Sequence, residues 1–157
     1  MLEFTLIGVP LIFVLLSTFE MARGMWIYHT LAYAIKEGTR FASVHGKNCA
    51  TAPNSCTVTV SQVARKIQDN GAGLMADSLN LTLTTSCGST TCLLRDCLAD
   101  ETVWPPAPGN APGMDVSISA VYPFRSFICM FWPGAGGAVH FADVYNFPAS
   151  SQEKMQF

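Results

Sequence analysis

The sequence, 157 residues long, predicts an α+β fold in which one long N-terminal helix, kinked at Pro10, packs its second half on a small head. The head is expected to hold a short helix and an antiparallel sheet of three or four strands, with disulfide-stapled loops. Three observations carry this. Residues 2–45 contain no strong helix stop except Pro10 before Gly46 closes the segment. Leu79, Leu81 and Leu83, and later Val116, Ile118, Ala120 and Tyr122, recur at the two-residue period of a half-buried strand. All six cysteines, Cys49, Cys56, Cys87, Cys92, Cys97 and Cys129, follow residue 48, in the part richest in Thr, Ser, Gly and Pro.

Read as one helix, the first segment extends roughly 65 Å at about 1.5 Å per residue. Residues 4–19 are apolar on all faces, as in a helix surrounded by lipid or by other apolar helices. That run is slightly short of the roughly 20 residues that span a bilayer, and Met1, Leu2, Met21 and Ala22 extend it. A secretory signal peptide is the competing reading, but no Lys or Arg precedes the run and no small-x-small cleavage site precedes Glu20 and Arg23. Pro10 lacks a backbone donor and crowds the carbonyl of Leu6, so a kink or a melted turn is expected at residues 6–10, with Gly8 adding slack. In the second half, Met21, Met25, Tyr28, Ala32 and Ile35 form one stripe that can lie against a globular domain. The chain thus divides into a helix, residues 1–46, with an apolar half 1–22 and an amphipathic half 23–46, and a head, residues 47–157.

Within the head, Thr59 and Gln62 have the form of a capping box, and Val60, Val63, Ala64 and Ile67 follow at helical spacing until Gly71 and Gly73. Residues 79–84 read as a strand, residues 86–113 as a long surface loop pinned by disulfides, and residues 116–122 as a strand that Pro123 interrupts. "FICMFWPGAGG" is apolar but too short to cross a membrane, and either packs under the head or forms a contact surface. Residues 139–147 are a final strand candidate, followed by a polar tail, "PASSQEKMQF".

Composition narrows the function. Charged residues are only 13% of the chain, against about 25% in ordinary soluble domains, and half the chain is hydrophobic, which leans toward a membrane. The net charge is −2 and the cations are scattered singly, so the footprint of a nucleic-acid binder is missing. The cysteines point to an oxidising compartment and mostly to disulfides, zinc and free thiols being the rival readings; the C-x6-C and C-x4-C-x4-C spacings are not zinc knuckles. Cys49 and Cys56, around Pro53 and Asn54, suit a small closed turn. In "SCGSTTC", Cys87 and Cys92 flank a predicted turn, where a structural disulfide is favoured over a catalytic thiol. His29, His45 and His140 stand alone, and no nucleophile elbow, phosphate loop or dinucleotide fingerprint occurs. The expectation is a chain that is not an enzyme and takes no metal or cofactor.

The N-terminal stretch "LEFTLIGVPLIFVLLSTFEMARGMWIYHTLAYAIKEGTRFAS" resembles the start of the TadE family, pilin-like proteins of Tad (Flp-type) pilus systems. The resemblance rests on Glu3 and Phe4 ahead of the apolar run, Pro10 within it, Glu20 followed by Arg23 and Gly24, and "KEGTRFAS". It is weaker beyond, through "VSISAVYPF" and the apolar stretch after it, and the cysteine-bearing loop departs from the pattern. The resemblance implies a pilin-like fold and type IV filament biology: insertion in the bacterial inner membrane, trimming by a prepilin peptidase, and extraction by a pilus assembly platform into an extracellular homopolymeric filament. In that superfamily the early glutamate is the fifth residue of the mature protein; here it is the third, so either the mature form begins two residues earlier or processing differs.

On this reading Glu3, Phe4, Leu6, Leu11, Phe13, Leu15, Phe19, Glu20 and Arg23 are the assembly residues, with Gly8 and Pro10 at the kink. A charge near the bilayer centre costs about 2.5 to 3.5 kcal/mol, so Glu3 needs an interface or a partner. A helix N-terminus favours a carboxylate by about 0.3 to 1 kcal/mol, and an α-amino group of the same or a neighbouring subunit adds a charge-assisted hydrogen bond. The bland reading is a carboxylate that complements only its own helix. Glu20 and Arg23 can pair at i, i+3, either as a local surface pair or as a buried pair in a packed filament. The competing classes are a minor or priming pilin, and a membrane-anchored binding module whose head recognises a ligand through Trp104, Trp132 and exposed prolines.

Overall fold

The computed structural model describes residues 2–46, 58–126 and 144–156, with side chains from residue 6 onward. Helix α1 (Leu2–Ser43) is continuous, with Pro10 inside it. The melted turn entertained at residues 6–10 is therefore not adopted, because one missing donor leaves the bonds of the adjacent turns to hold the helix. Two hydroxyls within the apolar half are satisfied by the helix itself: Ser17 donates to the carbonyl of Phe13 at 2.9 Å and Thr18 to that of Val14 at 2.8 Å.

Helix α2 (Val60–Asn70) starts in the expected capping box, Thr59 Oγ1 accepting from the Gln62 amide and Gln62 Oε1 from the Thr59 amide, each at 3.4 Å. Four antiparallel strands follow, β1 (Asn80–Thr85), β2 (Gly88–Leu93), β3 (Asp115–Phe124) and β4 (Tyr145–Lys154), in the order β2-β1-β3-β4. A one-turn helix, α3 (Leu94–Cys97), follows β2 directly. Pairing sets Leu81 beside Ala120 and Ala149, and Leu83 beside Ile118 and Ser151, on the face covered by α1 and α2. The other face is a field of hydroxyls, Thr82 and Thr91 meeting at 3.2 Å with Ser119 and Ser150 in the same row. This is the α+β, pilin-like arrangement expected from the sequence.

Several local readings are corrected. The face of α1 against the head is Glu20, Gly24, Ile27, Leu31, Ile35, Gly38 and Ala42, so the expected stripe holds at Ile35 and is displaced by one residue, about 100°, over Met21, Met25 and Tyr28. Met21, Met25 and Tyr28 are exposed. The cause is close approach: glycines and alanines admit the head to the helix backbone, and a stripe drawn from hydropathy gives them little weight. At Gly38 a Cβ would lie 2.5 Å from Ile67 Cγ1.

Pro123 does not stop β3, which continues to Phe124 with Pro123 opposite Asn146. The "polar tail" is most of β4, whose inward residues beyond Phe147 are the small or polar Ala149, Ser151 and Glu153. Backbone pairing and anchors at its end, Ser43 Oγ to Glu153 at 3.1 Å and the Gln156 amide to the Ser43 carbonyl at 3.0 Å, replace apolar patterning there. Residues 86–113 are not one loop, since β2 and α3 lie within them. Trp104, expected on the binding-module reading to meet a ligand, is only 3% exposed, its amide bonded to the Val58 carbonyl.

Cys92 bridges to Cys97, with Cα atoms 5.7 Å apart, and Cys87 is a free, exposed thiol. Cys87 and Cys92 cannot bridge because the intervening residues are extended in β2, roughly 16 Å of strand at about 3.3 Å per residue. Cys49, Cys56, Cys129, His140, Trp132 and the expected strand start at residue 139 lie outside the described residues.

Two outcomes follow from this packing. Gly38→Ala gains helix propensity of about 1 kcal/mol but overpacks against Ile67, a net destabilisation of about 1–2 kcal/mol. It is read as a lowered unfolding midpoint, and a double-mutant cycle should show the loss largely removed in an Ile67→Ala background. Of Cys87, Cys92 and Cys97, native alkylation with iodoacetamide should label Cys87 alone, the other two reacting only after reduction, as peptide mass spectrometry would record.

Candidate functional site

The site is the junction where α1 leaves the head. On its N-terminal side Leu6, Leu11, Phe13, Leu15 and Phe19 are all exposed, Leu6 at 77%. Gly8 and Pro10 are helical residues in the same stretch. Glu3 and Phe4 belong to α1 as well, and their side chains lie outside the described residues.

At residue 20 the surroundings change. Glu20 is buried, 8% exposed, and its two carboxylate oxygens accept from Arg23 Nε and Nη2, each at 3.3 Å. The Arg23 guanidinium lies 4.4 Å from the centroid of the Phe124 ring, and its Nη2 also donates to the carbonyl of Arg125. Phe124 stacks on Phe147 at 5.1 Å, and Phe147 meets Tyr28 edge-on at 6.1 Å. Both phenyl rings reach the helix at Gly24, where a Cβ would be 3.6 Å from Phe124 and 3.8 Å from Phe147.

The last residue of β3 and the third of β4 thus close a collar around a helix turn that carries two opposite charges. Each element has a local reason to be there. The period-2 alternation of β3 brings Phe124 to the inner face, and antiparallel pairing sets Tyr122 and Phe147 side by side on it. The i, i+3 spacing puts Glu20 and Arg23 on one helix face.

Chemically, the collar neutralises. A buried carboxylate without a partner is costly, and here the partner is a forked donor already held by a ring face and a carbonyl. Glu20 and Arg23 were legible as a pair; their aromatic cover was not. Phe124 and Phe147 carry a signal only as aromatic residues in "VYPF" and "NFPAS", and long-range strand pairing decides what they touch. Away from the collar, Asp100 is held below the ordinary carboxylate range by hydrogen bonds from Thr102, whose amide reaches it at 2.9 Å, an arrangement that fixes a turn. Among the described residues, no group of three or more His, Cys, Asp or Glu is placed to hold a metal ion.

Residues 1–40 match the family described as TadE-like protein. The match ends within α1 and includes none of the head. Comparison with curated proteins and with solved structures finds no match.

Arg23→Met should cost about 2 kcal/mol of stability in detergent solution, below the roughly 3–5 kcal/mol of a fully buried pair because Arg23 is partly exposed. Adding Glu20→Gln should restore much of that loss, as denaturant unfolding followed by circular dichroism would show, because the buried charge is then gone.

Proposed function

We propose that this chain is a structural subunit of a Tad-type pilus, an extracellular type IV-like filament assembled by packing of N-terminal helices. One observation carries the reading: among the described residues α1 is long and apolar enough to cross a membrane, yet only 6% of its apolar window is buried. Such a surface needs lipid or other apolar helices around it. A single exposed helix of this kind serves both in turn, lipid while the subunit waits in the inner membrane and neighbouring copies once it is extracted. The TadE-like match over residues 1–40 falls on that helix and supports the link to a Tad pilus system.

In this role the chain acts by architecture rather than catalysis and uses no cofactor. Its partners are copies of itself, a prepilin peptidase that trims the N-terminus and the pilus assembly platform. Residues 6–19 supply the packing surface, and Glu3 pairs with the N-terminus of the adjacent subunit during assembly, a charge-assisted hydrogen bond of about 1.5–3 kcal/mol.

Negative-stain microscopy of sheared cell-surface material, with mass spectrometry of its subunits, should find this chain as a filament component. Glu3→Gln should leave the amount in the membrane fraction unchanged while lowering filament yield about tenfold or more. Filaments that lack this chain would remove the subunit reading, and normal filaments from Glu3→Gln would remove the role of that residue.

A further inference from the structure

We infer that the base of the head is itself a lipid-contact surface, seated in the bilayer interface while α1 spans the membrane. This rests on the membrane stage of the proposed function and extends it from the helix to the head.

The first ground is length. Counted from Glu3, the charge that has to stay outside the hydrocarbon at the other side, the helix rises about 26 Å to Glu20 and about 35 Å to Trp26, against a hydrocarbon core of about 30 Å. The water-side boundary of the core therefore falls between Glu20 and Trp26. That is the turn on which the head is already mounted, since Gly24 lies under Phe124 and Phe147. A helix that fills the core brings the head's base into the interface.

The second ground is charge. Glu20 and Arg23 are the first ionisable residues after Glu3, and both are folded away from the outer face, Glu20 buried and Arg23 against Phe124 and the Arg125 carbonyl. The outward surface of α1 stays apolar through Met21, Met25 and Trp26, the last 66% exposed. His29 is the next Asp, Glu, Lys, Arg or His to emerge.

The third ground is what surrounds the exit. Met75, on the turn after α2 and 68% exposed, Val144 and Tyr145 are exposed large apolar groups of the head close to this level. Met75 and Val144 share a cleft of about 630 Å³ with Arg23, Ile27, Phe124 and Arg125. Tyr145 pairs with Phe124 across β3 and β4. Trp26 and Tyr145 with the exposed Arg125 have the composition of a membrane-interface belt, the rings at headgroup depth and the Arg125 guanidinium reaching phosphate. The acidic residue on that turn, Asp77, is engaged by Arg95 at 3.2 Å. The opposite end of the sheet, at Ser86, Ser89 and Thr90, is polar and exposed.

The test uses the full chain in vesicles of phosphatidylcholine and phosphatidylglycerol brominated either near the glycerol or near the acyl terminus. Met75→Trp and Tyr145→Trp report the base and Ser89→Trp the far end, all three in a Trp26→Phe, Trp132→Phe background whose own emission, from Trp104, is subtracted. The added fluorophore at 75 or 145 should be quenched by the shallow-brominated lipid about twofold or more beyond the one at 89, and less by the deep-brominated lipid. Equal quenching at all three positions would overturn the inference while leaving the spanning helix in place. Positions 75 and 145 shielded from water yet unquenched by either lipid would overturn it in favour of a second copy covering the base. Release of the chain from vesicles by alkaline extraction would instead overturn the membrane stage on which the inference rests.

Discussion

The contact of Ile67 with the backbone of α1 at Gly38 sets the rotation of the helix, and the rest of the molecule follows from that angle. The absence of a side chain at Gly38 is what allows α2 and the sheet to come so near. Once residue 38 faces inward, helical periodicity has no freedom left. The 18 residues from Glu20 to Gly38 make about five turns, so Glu20 faces the same way. Leu31, Ile35 and Ala42 fall on that face and are fully buried. Met21, one residue on from Glu20, is turned away by about 100° and is exposed.

An inward Glu20 creates an electrostatic problem that the next turn solves. A carboxylate at the edge of an apolar core has to be paired, and Arg23 is the cation one turn along on the same face. Arg23 in turn is held by the Phe124 ring and the Arg125 carbonyl, both at the end of β3. The collar is thus the lower end of the same packing that begins at Gly38. It has a consequence for the outer surface as well: with both charges turned inward, the exposed apolar surface of α1 passes the level of the collar and continues to Trp26.

The strands divide by how strongly their patterning speaks. β1 and β3 alternate large apolar residues with Thr or Ser and were readable directly, as was the capping box of α2. β4 was not, because its inward positions are filled by Ala149, Ser151 and Glu153, and its place comes from backbone pairing with β3 and from bonds to Ser43. The cysteines behaved in the same way. Their spacing marked residues 87–97 as a bridged region, but a strand between Cys87 and Cys92 and a helix turn between Cys92 and Cys97 selected the partner.

By itself the sequence determined the kinds of element and the division of labour along the chain. An apolar run with one early carboxylate, a helix without stops, and two alternating strands follow from local hydropathy and backbone preference, which neighbouring residues carry among themselves. Tertiary structure alone decided the helix rotation, the burial of Glu20 and Trp104, the aromatic cover of Arg23 and the freedom of the Cys87 thiol. Each of those depends on residues distant in sequence meeting at a fixed distance. A glycine that admits a neighbour looks, in the sequence, the same as one that does not.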